Sequence, residues 1–248
     1  MNRSNAHMSK NSKSFIYAAL ITSTLISSTC ALAESYSSKN SPQHAAGISL
    51  GSLGIGVNFS QKTNWSLASN DQVQWYIEAS TINAENEDGA DIGGIDYNDG
   101  DLSMASIQTG LNWYPYVSGW ADEVFFAAGL MYSNVDMSGK ADTDKSFHVG
   151  DQLINPGDIT SLDLEIEESQ VLPYVSVGWG NKLMGKPGFD FRTELGFAIP
   201  TQNVDVKLTA VDSNNILTDA NLAKEKDEIE DDLNNLRGFI TATVTYQF

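Results

Sequence analysis

The chain has a single cysteine, Cys30, and only 14 basic residues against 32 acidic ones in 248. One cysteine cannot form an intramolecular disulfide, and a net charge of −18 makes nucleic acid an unfavourable partner. Beyond the first 33 residues no segment carries about twenty unbroken apolar residues, the length that a membrane-spanning helix needs. These absences exclude a disulfide-stapled protein, a nucleic-acid-binding protein and a helical membrane protein.

The first 33 residues have the pattern of a secretory signal peptide. Arg3, Lys10 and Lys13 precede an apolar stretch over residues 15–26, and the small residues at 31–33 suit cleavage after Ala33. The apolar stretch is too short to span a bilayer as a helix. The sequence therefore predicts export, with a signal peptide over residues 1–33.

Cleavage after Ala33 takes three of the 14 basic residues and none of the 32 acidic ones, which leaves a net charge of −21. The remaining chain has no cysteine, hence no thiol nucleophile and no thiolate metal ligand. The alternative, a lipoprotein anchored through Cys30, is disfavoured because residues 27–29 do not resemble the usual Leu-x-Ala/Gly run. We expect a periplasmic segment over residues 34–43 and one domain over residues 44–248.

The last strand of the sequence is the clearest structural signal. From Ile240 to Phe248 every second residue is apolar, and the residues between them are Thr241, Thr243, Thr245 and Gln247. Period-two alternation presents one face of a strand to an apolar phase and the other to a polar one. A threonine-rich face and a terminal aromatic residue are typical of the closing strand of an outer-membrane barrel.

Seven further strands are predicted, and the connections between them alternate in length. The predicted strands are 44–51, 53–62, 72–83, 101–114, 123–135, 161–180, 188–208 and the terminal strand. Three links are short, around 64–71, 115–122 and 181–187, whereas the others, except the first hairpin, are long and cover about 84–100, 138–160 and 209–235. Short turns on one side and long loops on the other are the outer-membrane pattern.

We therefore predict an all-β fold, an eight-stranded antiparallel transmembrane β-barrel with long acidic extracellular loops. A short loop helix near 220–236 is expected, because Leu222, Ile229, Leu233 and Leu236 recur at helical spacing. A soluble β-sandwich is the alternative, but it gives no reason for sorting the loops by length. The predicted localisation is the cell outer membrane of a Gram-negative bacterium.

Two details of strand facing are less clear in the sequence. The fifth strand is apolar on both faces at Phe125 and Phe126. In the sixth strand, we expect Asp163 and Glu165 to point inward in the first half and Val171 to point outward in the second. This change of facing requires a bulge near Ser169. The five tryptophans fall near strand ends, as interfacial aromatic residues do.

Seven acidic residues with no basic residue among them crowd the first long loop. A solvated loop explains them, and so does an electrostatic funnel that concentrates cations at the barrel mouth. Residues 96–101 resemble the start of a calcium loop but lack its closing glutamate, so no metal site is predicted. The candidate acidic mouth consists of Glu85, Glu87, Asp88, Asp91, Asp96, Asp99 and Asp101.

The inner face offers the better candidate site. An isolated charge inside a small barrel is costly, so lumen charges must be paired or wetted. Either Arg192 centres a structural network that fills the barrel, or excess carboxylates attract an amine-bearing solute. The candidate solute path consists of Glu78, Asp163, Glu165, Tyr174, Asp190, Arg192 and Glu194.

No cofactor and no enzymatic activity are predicted. The three histidines, His7, His44 and His148, belong to no recognisable Ser/His/Asp arrangement. The expected partners are outer-membrane lipid and lipopolysaccharide, small cationic solutes, and the barrel-assembly machinery through the strand that ends at Phe248.

Several segments resemble CarO-type ornithine-uptake porins. Residues 173–180, PYVSVGWG, resemble the "PYLGFGF/GW" strand of that family, and residues 188–196 and 204–209 resemble the strand that follows. The similarity continues through the acidic segment 223–232 to the final strand, and residues 199–204 depart from the family pattern. The resemblance implies an outer-membrane porin for passive uptake of small basic amino acids such as ornithine, and of carbapenems. A closed structural or surface-interaction protein remains the alternative.

Overall fold

The structure is a computed structural model that describes residues 42–69, 71–86, 90–115, 118–184, 187–212 and 216–248. The predicted signal peptide lies outside the described residues, as does all but the end of the predicted periplasmic segment. Among the helices of the described ranges, none is long and apolar enough to cross a membrane.

The described residues form twelve strands and one helix. They are β1 His44–Gly51, β2 Gly54–Lys62, β3 Gln72–Asn86, β4 Ala90–Ile92, β5 Ile95–Tyr114, β6 Val124–Ala141, β7 Phe147–Val149, β8 Gln152–Ile154, β9 Ser161–Gly180, β10 Gly188–Ala198, β11 Asp205–Val211, α1 Asp219–Leu233 and β12 Arg237–Gln247.

Eight of these strands close into a ring in which each pairs antiparallel with its two neighbours. The order is β1, β2, β3, β5, β6, β9, β10 and β12, and β12 returns to β1 from Ala45 opposite Gln247 to Gly51 opposite Thr241. The predicted eight-stranded antiparallel barrel is confirmed. The predicted seventh strand is split in two, since β10 ends at Ala198 and β11 pairs separately with the first part of β9.

The two faces of the wall follow the alternation in the sequence. On β12, Thr241, Thr243 and Thr245 are buried inside, whereas Ile240 and Val244 are exposed outside. The same pattern on the other strands surrounds the barrel with exposed aliphatic and aromatic side chains. A continuous apolar belt of this kind is typical of a barrel surface that faces an apolar medium.

The prediction for β9 was wrong in its first half. The burial pattern alternates without interruption from Ser161 to Ser176, so no bulge occurs near Ser169. Leu162 and Leu164 point inward and are fully buried, whereas the side chain of Glu165 is 55% exposed on the outer face, with Asp163 on the same face. The physical reason is that the barrel interior at this height is apolar, so the leucines rather than the carboxylates turn inward.

The three short connections are confirmed, but much of the predicted long loops is folded. β3 and β5 continue as a paired hairpin out to Asn86 opposite Gly100, and the short strand β4 pairs with the first residues of β5. The 138–160 region contains the β7–β8 hairpin, and residues up to Val211 belong to β11. The wall therefore extends well beyond its apolar belt on the long-loop side.

The long-loop end of the barrel is closed by a cap, which comprises α1, the β7–β8 hairpin and the turn between β4 and β5. Ile229 of α1 is buried in an apolar cluster with inward residues of β5, β9 and β11, and Leu222 and Leu233 pack against that cluster. The predicted loop helix is confirmed with shorter bounds, since Leu236 lies beyond its end and is exposed.

The aromatic residues distinguish the two ends of the barrel. All five tryptophans lie in or beside the short connections, at one end only. They are Trp65, Trp75, Trp113, Trp120 and Trp179. On β6, Phe125 is fully buried in the lumen and Phe126 is exposed outside, which settles the facing that the sequence left unclear.

Substitutions at two glycines with positive φ can show how closely the wall is packed at the short-turn end. Gly180 has φ 96° and a Cβ there would lie 1.8 Å from the carbonyl oxygen of Phe191, whereas Gly119 has φ 88° and open space around it. Gly119→Ala should cost about 1 kcal/mol from backbone strain alone, and Gly180→Ala at least about 3 kcal/mol. Urea unfolding in detergent micelles measures both, and equal costs would contradict the packing described.

Candidate functional site

The structure separates the predicted solute-path residues into two groups. Glu78, Tyr174, Arg192 and Glu194 are buried on the inner face, as predicted. Asp190 shares that face at the short-turn end, where it accepts a hydrogen bond from Gln247 Nε2 at 2.6 Å.

Asp163 and Glu165 do not belong to this site. Both lie on the outer face of β9, and Glu165 Oε2 pairs with Lys207 Nζ at 2.5 Å on the neighbouring strand β11. Their predicted inward orientation was wrong for the reason given above.

The acidic segment forms part of the extended wall formed by β3, β4 and β5. Glu85 stands opposite Asp101, and Asp91 opposite Asp96, with all four exposed on the face away from the cap core. Asp99 is also exposed, and Glu87 and Asp88 lie outside the described residues. Because β4 and β5 form a hairpin here, alternation sends Ile92 and Ile95 inward and the acids outward.

Residues 96–101 therefore belong to strand β5 rather than to a coordination loop. Lys145 Nζ lies 2.9 Å from Asp96 Oδ2 and 3.2 Å from Asp142 Oδ2. Within the described ranges no group of three or more His, Cys, Asp or Glu side chains is placed to hold a metal.

Arg192 occupies the centre of the lumen. Its guanidinium lies between the faces of Tyr76 and Phe125, 4.7 and 4.5 Å from the two ring centroids, and forms an ion pair with Glu194. Glu194 Oε1 also accepts a hydrogen bond from Ser176 Oγ at 2.5 Å. Two aromatic faces and a carboxylate replace the water that a buried guanidinium loses.

A second carboxylate stands close to this centre. Glu78 on β3 accepts hydrogen bonds from Ser49 Oγ at 2.8 Å and from Asn58 Nδ2 at 3.5 Å. With Glu194 it places two buried carboxyl groups beside one guanidinium in the middle of the lumen.

Two tyrosines close the lumen beside Arg192, and we call them the tyrosine arch. Tyr76 and Tyr174 meet through their hydroxyl groups, which are hydrogen bonded. The register across β3, β5, β6 and β9 places Tyr76 opposite Gly110 and Tyr174 opposite Gly129. A Cβ at either glycine would lie within 2.7 Å of the Tyr174 hydroxyl, so the arch requires glycine at both positions.

A second closure comes from the turn between β9 and β10, and we call residues 181–183 the turn plug. Asn181 Nδ2 donates to Ser60 Oγ at 3.1 Å, and Asn181 Oδ1 accepts from Thr245 Oγ1 at 3.0 Å. Its carbonyl accepts from Gln74 Nε2 at 3.2 Å, and Leu183 is fully buried. The plug therefore bonds to three strands from inside the barrel.

A small open cavity of about 230 Å³ lies at the short-turn end, outside the turn plug. Its charged lining is Asp122, Glu123, Asp190 and Lys182, with Met184 and Phe189 as apolar walls. Burial and the neighbouring Asp190 and Asp122 raise the pKa of Glu123, and burial lowers the pKa of Lys182. Three carboxylates against one ammonium favour a cation in this cavity.

Several amide and hydroxyl groups of the inner face have no partner within the described part of the chain. Almost all polar groups buried in proteins are hydrogen bonded, so such a series indicates contact with water or solute. The buried atoms are Asn58 Oδ1, Gln72 Nε2, Gln74 Oε1, Gln108 Nε2, Asn112 Oδ1 and Nδ2, and Thr243 Oγ1. Sequence reasoning missed them, although their inward parity was the available signal.

Sequence reasoning also missed the link between the lumen and the cap. Arg237 Nη1 donates to Glu168 Oε1 at 2.6 Å, and its Nε and Nη2 donate to the Leu233 carbonyl at 3.2 and 2.9 Å. Gln170 Nε2 donates to the same Glu168 oxygen at 2.7 Å. A cation at the helix C-terminus also offsets the helix dipole, so Arg237 secures the end of α1.

Comparison with known proteins supports the fold. No protein-family model matches the chain, and no curated protein matches it. Among solved structures, Acinetobacter baumannii CarO is 21% identical with a TM-score of 0.59, over 85% of this chain and 100% of that chain. Acinetobacter baumannii CarO2 is 17% identical with a TM-score of 0.56, over the same shares. The chain therefore has the CarO fold, as the sequence resemblance predicted.

The pairing at the centre of the lumen can be tested by removing one charge or both. Arg192→Met leaves the Glu194 carboxylate buried without its guanidinium and should lower the free energy of unfolding by about 3–5 kcal/mol. Adding Glu194→Gln removes the orphaned charge and should recover at least half of that loss. Urea unfolding followed by tryptophan fluorescence measures both, and identical unfolding of the two variants would contradict this arrangement.

Proposed function

We propose that this protein is an outer-membrane channel for passive uptake of small basic solutes of the ornithine type. The observation that carries the proposal is the series of buried, unpartnered amides on the inner face, together with the excess of carboxylates there. These groups are free to exchange hydrogen bonds with water or with a passing solute, which a solute path needs and a plugged scaffold does not.

The outer surface supports the membrane setting. Exposed apolar side chains surround the ring, and a closed ring leaves no strand edge unpaired in lipid. The tryptophans gather at the short-turn end, which in this orientation is the periplasmic interface. The cap and the acidic hairpin then lie outside the cell.

The proposed path follows the carboxylates. A solute ammonium meets Glu78 and Glu194 at the centre and Asp190 at the periplasmic end, and the cavity beside Asp122 and Glu123 receives it. Each carboxylate attracts the ammonium group of a basic solute, whereas a neutral solute of the same size is not attracted in this way. Carbapenems, which the family resemblance also implies, require a wider opening at the tyrosine arch than an amino acid does.

A second function, that of a closed structural or surface-interaction protein, is favoured by a different observation. The tyrosine arch and the turn plug both cross the lumen, so side chains of the described residues bridge it at two levels. In this alternative the acidic outer wall and the cap are the working surfaces. Neither function involves an enzymatic step.

Selectivity for cations can be tested by neutralising carboxylates of the path. Glu78→Gln with Asp190→Asn should lower the flux of ornithine, relative to a neutral amino acid of similar size, by about tenfold, because the ammonium loses about 1.4 kcal/mol of attraction. Swelling of liposomes that contain the refolded protein measures the ratio.

The matched control is Glu165→Gln, the same chemical change on the outer face, which should leave the flux ratio unaltered. An unchanged ratio in the double variant, or an equal loss in the control, would rule out the lumen carboxylates as the selective groups.

The arch can be opened directly. Tyr76→Ala with Tyr174→Ala removes both rings from the lumen and should raise the single-channel conductance in planar bilayers severalfold over wild type, with cation selectivity retained. If wild type and variant are both silent, although both migrate on gels as folded barrels, the closed structural protein is the better description.

A further inference from the structure

Glu225 differs from the other acidic residues of the cap helix. The rest of α1 carries its acids on exposed or half-buried positions, but Glu225 is only 2% exposed and faces the same side as the buried Ile229. Glu225 Oε2 accepts a hydrogen bond from the Gly150 amide at 2.8 Å, in the turn of the β7–β8 hairpin. This bond joins the helix to the hairpin within the cap.

The second carboxylate oxygen has no such partner. Glu225 Oε1 is buried without a hydrogen bond, and the backbone at Gly93 approaches so closely that a Cβ there would lie 3.1 Å from it. The Tyr97 hydroxyl, on β5, is likewise buried and without a partner among the described residues. The surrounding side chains, Ile95, Val149 and Ile229, are apolar. A carboxylate held in this way is only half satisfied.

The charged groups around Glu225 do not neutralise it. Lys224 on the same helix pairs with Asp151 and lies 3.7 Å from Glu228, and Lys226 faces Asp205 of β11. His148 of β7 and Lys224 favour the carboxylate, whereas Glu228 opposes it. Burial is the largest influence and raises the pKa of Glu225. Tyr97, from β5, is neutral at ordinary pH, and its own pKa is raised.

We propose that Glu225 is a proton-sensitive latch that holds the cap closed when its side chain is protonated and loosens the cap when it ionises. When Glu225 is protonated, it still accepts the hydrogen bond from the Gly150 amide, and its O–H group can donate to a neighbouring oxygen. The buried charge is then removed. An ionised carboxylate reaches water only if the helix and the hairpin separate. Opening is therefore favoured at neutral pH and closure in acid.

The pH window follows from the direction of the shift. A glutamate exposed by opening titrates at about pH 4.3, and burial on closure raises its pKa. At a pH below the pKa of the exposed glutamate, Glu225 is protonated in both the open and the closed cap, so no buried charge opposes closure. The closed state loses free energy as the pH rises through the window between the exposed and the raised value, and above it the loss is complete.

Amide hydrogen exchange of the full refolded protein in micelles tests the latch without depending on any solute. After correction for intrinsic exchange, the Gly150 amide should exchange severalfold faster at about pH 7.5 than at about pH 4.5, because burial raises the pKa of Glu225 in the closed cap and ionisation then favours opening. Glu225→Gln keeps an acceptor for Gly150 but never ionises, so its corrected exchange should not change with pH.

Glu228→Gln is the control, an exposed carboxylate one turn along the helix; it removes only the repulsion between Glu228 and Glu225, so a pH dependence should remain. If Glu225→Gln itself loosens the cap, Glu225→Leu, apolar and of similar size, must give the same flat profile. Equal wild-type exchange at both pH values, or a flat profile in Glu228→Gln, would overturn the proposal.

Discussion

The pairing of β1 with β12 is the interaction on which the rest of the structure depends. It joins strands almost two hundred residues apart and closes a sheet that otherwise exposes two unpaired edges. A ring of eight strands is so narrow that inward side chains touch one another across it. The tyrosine arch, the ring–guanidinium stack around Arg192 and the turn plug all follow from that narrow interior.

The sequence predicts the wall well because its signal is local. Alternation along β12 and β10 depends only on neighbouring residues, so the inward facing of Arg192 and Glu194 could be read directly. The β9 extension was predicted wrongly because period two assigns residues to two faces without saying which face points into the barrel. Its leucines turn inward because Ile229, more than sixty residues further along the chain, supplies an apolar partner that no local pattern reveals.

The sequence was sufficient to predict the charged residues of the candidate site, but not the side-chain contacts that close the lumen. Glu78, Arg192 and Glu194 are recognisable from parity and charge alone. Tyr174 meets Tyr76 only because two glycines on the intervening strands are in register with them, and Phe125 lies over Gly178 in the same way. Asn181 enters the lumen with a positive φ of 55°, which its position in a short turn permits but does not require. Such pairs depend on register, which a single sequence does not supply.

The kind of group that blocks the lumen determines how fast the blockage can be relieved. Tyr76 and Tyr174 are side chains of the wall itself, so clearing this level requires rotation about side-chain bonds and not the departure of a folded domain. Side-chain rotations take from picoseconds to nanoseconds when exposed and longer when packed, whereas domain motions take microseconds to milliseconds. In the proposed channel, the arch would open by motion of these two side chains, which an electrical recording would average into one small current rather than resolve as long open intervals.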